Sequence, residues 1–198
     1  SGIDYASEVT IQADGKLVVA GFTDLGLGSG LDYMVARYNT DGSLDTSFGG
    51  DGIVVTAVGT AADYGRTVAI QSDGKILLGG YSAGNNTAIV RYNIDGTLDT
   101  SFGGGDGILT TNVITSASQP LLQPDGKIII TGTNFYSHFT VARFNLDGSI
   151  DTSFGGGDGI VITDIAGGDD KAVKVEVLAD GKILVGGSSS SDFALIRY

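Results

Sequence analysis

The chain has 198 residues, a formal net charge of −12 and no cysteine, which excludes disulfides and thiolate chemistry. Its 41% hydrophobic content argues against disorder despite 33 glycines, and no apolar run approaches the roughly 18 residues of a membrane span. All basic residues except Arg66, Lys171 and Lys174 sit at fixed points of a repeat, so no basic stripe is available to nucleic acid or an anionic membrane, and the acidic field suits divalent cations or basic proteins better.

The opening "SGIDYAS" carries no signal peptide and reads as the start of a processed or excised segment. The first strand-sized run is "VTIQ" at 9–12, followed by the turn "ADG" and the apolar run "KLVVAG" at 16–21. Asp-Gly supplies the positive φ angles that a tight hairpin needs. "GLGSG" at 26–30 lacks the lysine and helix of a phosphate loop and reads as a flexible hairpin. A third run, "YMVARYN" at 33–39, leads into "NTDGSLDTSFGGDGIVVT" at 39–56, whose end is a fourth strand.

The same order returns. "VAIQ" at 68–71, "KILLGG" at 75–80 and "TAIVRYN" at 87–93 precede "NIDGTLDTSFGGGDGILT" at 93–110. Asn85-Asn86-Thr87 is a glycosylation sequon on the intervening loop. Then come "PLLQ" at 120–123, "KIIITG" at 127–132, "FTVARFN" at 139–145 and "NLDGSIDTSFGGGDGIVIT" at 145–163. The last copy holds "VEVL" at 175–178, "KILVGG" at 182–187 and "FALIRY" at 193–198. Val173, Val175 and Val177 alternate with Lys174 and Glu176, which predicts a half-buried strand with the three valines on one face. The "DGK" turns at Asp14, Asp73, Asp125 and Asp180 are spaced 59, 52 and 55 residues apart, a period that marks a solenoid, propeller or array.

No helical periodicity appears, so the chain is expected to be all-β. Four tandem units of four short antiparallel strands describe propeller blades, with a stack of hairpins as the second geometry. The units fall approximately at 1–52, 53–106, 107–158 and 159–198 of a single repeat domain, with fifteen strands visible. The missing strand leaves open a larger propeller or completion by a neighbouring chain.

"DGKILVGG…FALIRY" followed by "NxDGSLDTSFGGDGIVVT" resembles the bacterial delta-60 repeat over nearly the whole chain, and more distantly the NHL-type propeller blade. The resemblance implies a propeller-like module of large secreted or surface bacterial proteins, with no activity attached to the repeat itself.

Two chemistries fit the repeated acidic phrase. Asn39, Asp41 and Asp45, with Asn93, Asp95, Asp99, Asn145, Asp147 and Asp151 in the later copies, offer the oxygen ligands that calcium takes. Their alignment to a calcium loop puts Arg37, Arg91 and Arg143 at the first ligand position, which favours a structural role instead. In that role Asp41-Gly42 turns the chain, Asp45 caps the "TSF" turn, and Arg37 pairs with a loop aspartate. Phe48, Phe102 and Phe154 then plug space between blades.

Function divides three ways. Near-identical units without a catalytic motif point to a non-enzymatic extracellular module for scaffolding, adhesion or self-assembly through blade edges. The alternative is a propeller mouth binding calcium or carbohydrate, using Glu8, Thr10, Gln12, Thr67, Gln71, Gln119, Gln123, Lys174 and Glu176. Tyr5, Tyr33, Tyr64, Tyr81 and Tyr136 offer a carbohydrate or protein contact surface, or a cover for blade edges. A hydrolase or lyase comes last: the single histidine, His138, stands in no triad motif, and the adjacent Asp169 and Asp170 point to opposite strand faces. No catalytic residue and no cofactor is assigned.

Overall fold

A computed structural model of the protein describes residues 3–24, 30–82, 86–117, 120–165 and 167–198. The described residues contain no α-helix. They form antiparallel meanders in which the strand order within each sheet follows the chain.

The first sheet is β1 (Asp4–Ile11), β2 (Leu17–Asp24), β3 (Leu31–Tyr38) and β4 (Ile53–Thr56). The second is β5 (Tyr64–Ile70), β6 (Ile76–Ser82), β7 (Asn86–Tyr92) and β8 (Ile108–Thr111). In the third, β9 (Ser116–Ala117) and β10 (Leu121–Leu122) both pair with β11 (Ile128–Thr133), followed by β12 (Phe139–Phe144) and β13 (Ile160–Thr163). The fourth has three strands, β14 (Asp170–Val177), β15 (Ile183–Ser189) and β16 (Asp192–Arg197). The "GIVVT" strand at the head of the 53–106 segment hydrogen-bonds to β3 and so completes the first sheet. The chain divides into two compact units, Ser1–Thr110 and Thr111–Tyr198.

The central strand of each sheet opens on an apolar run, at 17–21, 76–80, 128–130 and 183–187, because it lies between two hydrogen-bonded neighbours. Ile76, Leu77 and Leu78 are fully buried. In the first unit a core joins Val18, Ala20, Tyr33 and Val35 of the first sheet to Val68, Leu78, Val90 and Tyr92 of the second, with Phe48 among them. In the second unit Ile129, Phe139 and Val141 meet Ala172, Val175, Val185 and Ala194. Threonine hydroxyls at the ends of fourth strands tie the sheets within each unit. Tyr92 donates to Thr56 Oγ1 at 2.7 Å, and Tyr198 and Thr163 share a bond of 2.8 Å.

Strict alternation fails at one place in the first strand of the first, second and fourth sheets. The register of β1, β5 and β14 shifts at Ala6/Glu8, Gly65/Thr67 and Ala172/Lys174. Such a bulge inserts one residue and reverses the facing of what precedes it. Val175 is therefore buried while Val173 is 66% exposed, so the three valines of 173–177 do not share a face. Opposite each bulge stands a glycine, because a β-carbon on Gly21, Gly80 or Gly187 would come within 2.0, 2.0 or 1.9 Å of a carbonyl oxygen of the inner strand.

Candidate functional site

The repeated phrase folds as two successive turns. In the first copy Asn39 N–H donates to Ser43 O and Gly42 N–H to Asn39 O, with Gly42 at φ +86°. Asp41 Oδ1 accepts the Ser43 amide and hydroxyl, which holds its carboxyl below the usual range. Asn39 Nδ2 donates to Ser43 Oγ and Leu44 O. In the second turn Phe48 N–H donates to Asp45 O, and Asp45 Oδ1 accepts the Ser47 amide and hydroxyl.

The other oxygen of Asp45 carries the joint. Oδ2 accepts Arg37 Nε at 2.7 Å and Lys16 Nζ at 2.8 Å. The Arg37 guanidinium lies 4.6 Å from the centroid of the Phe48 ring, a cation–π contact. Its Nη1 donates to Ile94 O, and Gly49 N–H donates to Asp95 O, so the clamp grips the corresponding turn of the second sheet. Lys75 and Arg91 converge on Asp99 Oδ2 at 2.6 and 2.7 Å, and Lys127 and Arg143 on Asp151 Oδ2 at 2.7 and 2.6 Å. Arg91 stacks over Phe102 and Arg143 over Phe154.

Electrostatics follow from this geometry. The Lys16 ammonium and Ser47 hydroxyl, with Arg37 behind them, push the Asp45 carboxyl far below the usual range. Burial pulls Asp99 the other way but is outweighed by Lys75 and Ser101. Asp151 is lowered chiefly by Lys127 and Ser153. The Arg37 and Arg91 side chains are 4% and 3% exposed, and that of Arg143 is 19% exposed. The fourth copy has the cations without the aspartate: Lys182 turns to Asp180 at 3.3 Å and Arg197 is exposed.

The nine candidate calcium ligands thus take three roles. Asp45, Asp99 and Asp151 hold lysine and arginine. Asp41, Asp95 and Asp147 accept from Ser43, Thr97 and Ser149 in their own turns. Asn39, Asn93 and Asn145 brace those turns through their amide nitrogens. A divalent ion at Asp45 would have to displace two resident cations. Among the described residues no group of three His, Asp or Glu side chains is placed to hold a metal ion.

The "DGK" lysines were not singled out from the sequence as clamp members. An arginine always 8 residues before the aspartate, with one "DGK" lysine upstream in every copy at 29, 24 and 24 residues, was the signal that would have found them.

The remaining candidates scatter. Of the polar set, Glu8 Oε2 accepts Val68 N–H, Thr67 donates to Gly79 O, and Lys174 and Glu176 form an exposed pair at 4.0 Å. Oε1 of Gln12, Gln71 and Gln123 is enclosed without a hydrogen-bond partner among the described residues; Thr10 is half-buried, and Gln119 lies outside the described residues. Tyr33 is fully buried, its hydroxyl pushed up by burial and by Asp63, so it belongs to the core and not to a contact surface. Tyr136 is 79% exposed beside His138, and His138 Nε2 stands 3.9 Å from Asp164. Asp170 is buried and accepts Ile165 N–H, while Asp169 contributes its carbonyl to Ser190. The 26–29 part of "GLGSG" and Asn85 of the sequon also lie outside the described residues.

Two surface features of the first unit have ligand-like chemistry. Tyr5, Phe22, Tyr64 and Tyr81 form a row with successive ring centroids 5.1, 5.2 and 4.9 Å apart, and Arg66 lies over the last three rings. A cleft of about 610 Å³ beside the clamp is bordered by Arg37, Ser47, Lys75 and Asp95.

Comparison with known proteins adds the following. The family model described as "Domain of unknown function (DUF5122) beta-propeller" matches residues 12–48, 71–102, 123–154 and 178–198. No curated protein matches the sequence. Among solved structures, a streptogramin B lyase is similar over 100% of this chain and 57% of its own, with TM-score 0.50 and 11% identity. The β-propeller domain of the trilobed protease from Pyrococcus furiosus, described as having an open velcro topology, is similar over 98% of this chain and 68% of its own, with TM-score 0.51 and 11% identity. The chain therefore spans less than two thirds of the lyase's length, and at these identities the likeness concerns fold alone.

Proposed function

The chain belongs to this DUF5122 β-propeller family, and from that premise we propose that it is a non-enzymatic repeat module that assembles with other protein through its sheet faces and edges, in a secreted or cell-surface setting. The observation that carries the reading is a pair of uncovered apolar faces. Val68 and Val175 on the inner strands of the second and fourth sheets are 2% and 3% exposed. Their counterpart on β1, Val9, is 57% exposed, and Ile11, which matches the half-buried Ile70 and Val177, is 68% exposed. Phe139 and Val141 on β12 are fully buried, yet the matching Phe193 and Leu195 on β16 are 81% and 55% exposed. Apolar surface of this kind marks interaction sites.

The repeated phrase supports a structural role as well. Its carboxylates face lysine, arginine and backbone amides of the molecule itself, and the same clamp recurs in three copies. A catalyst built on this scaffold would depart from the repeat in one copy. Sedimentation velocity of the full chain over a wide concentration range tests the reading. The sedimentation coefficient should rise with concentration, and should stop rising in Val9→Glu; an unchanging monomer would refute assembly.

A second reading is carried by the Tyr5–Phe22–Tyr64–Tyr81 row with Arg66. A row of rings, stacked at Tyr5–Phe22, edge-on at Phe22–Tyr64 and tilted at Tyr64–Tyr81, with a guanidinium beside it, offers aromatic surface and donors to a carbohydrate. A glycan array that gives no signal above an Arg66→Ala, Tyr64→Ala control would remove it.

A further inference from the structure

One register of the repeat is filled differently from sheet to sheet. Directly after Gly21, Gly80, Gly132 and Gly187, Phe22 pairs with Tyr5 and Tyr81 with Tyr64, whereas Thr133 pairs with Ser116 and Ser188 with Lys171. The third and fourth sheets form without rings at this register, so the rings are not a requirement of the fold. The residue inserted at the bulge varies too, from Ser7 to Arg66 to Val173. Standing outside the ladder, Arg66 is exposed, and its guanidinium carbon lies 5.4, 5.6 and 5.4 Å from the ring centroids of Phe22, Tyr64 and Tyr81. Its Nη2 donates to the Tyr81 hydroxyl at 2.8 Å. The lysines and arginines of the three clamps all meet an aspartate, but Arg66 forms no ion pair among the described residues. Rings and one hydroxyl hold the cation in place without neutralising it.

We propose that Arg66, with the rings of Tyr5, Tyr64 and Tyr81, binds an acidic sugar: a pyranose that carries a carboxylate, as uronates and sialates do. The carboxylate takes the Arg66 guanidinium through paired N–H···O bonds, a geometry that suits arginine and not lysine. The pyranose lies against the tyrosines, which are half-buried at Tyr64 and Tyr81 and 52% exposed at Tyr5. A tyrosine offers an apolar face to sugar C–H groups and a hydroxyl to sugar hydroxyls. Because the guanidinium is already fixed by the rings and by Tyr81, little further freedom is lost when the ligand arrives. An acidic peptide would answer the charge and leave the ring faces unused. A neutral sugar would use the rings and leave the charge unanswered. An acidic sugar satisfies both.

The inference rests on the carbohydrate reading above and adds the charge of the sugar. The test is an array of uronate- and sialate-containing glycans, each beside its carboxyl methyl ester, together with neutral glycans, probed with the labelled full chain. The acids should bind, and each ester should bind about tenfold less, the scale of one lost charge-assisted hydrogen bond. The stronger of the two acid signals tells a uronate site from a sialate site. Arg66→Gln should bring acid and ester to the same low level. Arg66 is an exposed side chain, so a matching circular dichroism spectrum shows that the variant is folded. Tyr81→Phe keeps the ring, removes the acceptor of Arg66 Nη2 and should lower the acid-to-ester ratio, which a purely packing role would leave unchanged. Soluble polyglutamate should not compete. An acid-to-ester ratio untouched by Arg66→Gln, or competition by polyglutamate at equal carboxylate concentration, overturns the proposal. Binding confined to neutral glycans overturns it and keeps the carbohydrate reading. An array silent throughout removes both.

Discussion

The Tyr33 hydroxyl on β3 reaches so far into the second sheet that a β-carbon on Gly80 of β6 would lie 2.6 Å from it. The same β-carbon would lie 2.0 Å from Tyr64 O at the bulge of β5. Gly187 stands in the corresponding place in the fourth sheet, where a β-carbon would meet Lys171 O at 1.9 Å and the Phe139 ring at 2.9 Å. One glycine thus admits both a bulged carbonyl and the aromatic ring of the neighbouring sheet.

Gly80→Ala and Gly187→Ala should therefore each cost about 3 kcal/mol, the upper part of the range for overpacking a tight core. Gly186→Ala, whose β-carbon would find only Leu195 Cδ1 at an ordinary 3.7 Å, should change stability by less than about 0.5 kcal/mol. Urea unfolding of the three variants measures the contrast, and equal losses at Gly186 and Gly187 would contradict the socket.

Removing a clamp aspartate strands two cations. Asp45→Ala leaves Arg37, only 4% exposed, without its carboxylate, and breaking a buried pair from one side costs about 3 kcal/mol or more. Asp99→Ala should match it. Asp151→Ala should cost distinctly less, because Arg143 is 19% exposed and can be hydrated. Denaturant midpoints of the three variants give the order directly.

Tyr92→Phe removes the hydroxyl that donates to Thr56 Oγ1. A buried neutral hydrogen bond contributes about 1 kcal/mol. The double-mutant cycle with Thr56→Val should return a coupling of that size, and additivity would show that the two residues do not act together.

The clamp also sets the acid limit. Asp45, Asp99 and Asp151 all have folded-state pKa values depressed by their partners. A depressed carboxylate contributes stability that is complete above the unfolded pKa of about 3.9 and is lost as the pH falls towards the folded value. Thermal unfolding followed from pH 6 downward should show a steady midpoint to about pH 5 and a steep fall below about pH 4. In Asp45→Asn that fall should be shallower, since one of the three titrating groups is gone.

Much of this arrangement was readable in the letters. The "DGK" hairpins, the apolar second strands and the arginine of "VRY" all follow from periodicity and turn chemistry. The bulges did not. Val173 has the right residue type and spacing for the core, and only its place as the inserted residue between Ala172 and Lys174 turns it outward. Nor was the burial of Tyr33 legible, because its place depends on a glycine 47 positions later in the chain. Lys16 was hidden by its setting, since a lysine after Asp-Gly is ordinary turn composition until its reach to Asp45 is seen.

The clamp draws its lysine, arginine and aspartate from within a single period: Lys16, Arg37 and Asp45 lie inside one copy, as do Lys75, Arg91 and Asp99. A tandem duplication of one period in the gene would thus insert a sheet whose internal charges are already neutralised. The glycine tract can also absorb a slip, since the copies at 102–107 and 154–159 carry one glycine more than that at 48–52, and a β-carbon on Gly104, Gly105, Gly156 or Gly157 would meet nothing within 4 Å. Such a chain can grow or shrink by whole sheets without redesigning what joins them.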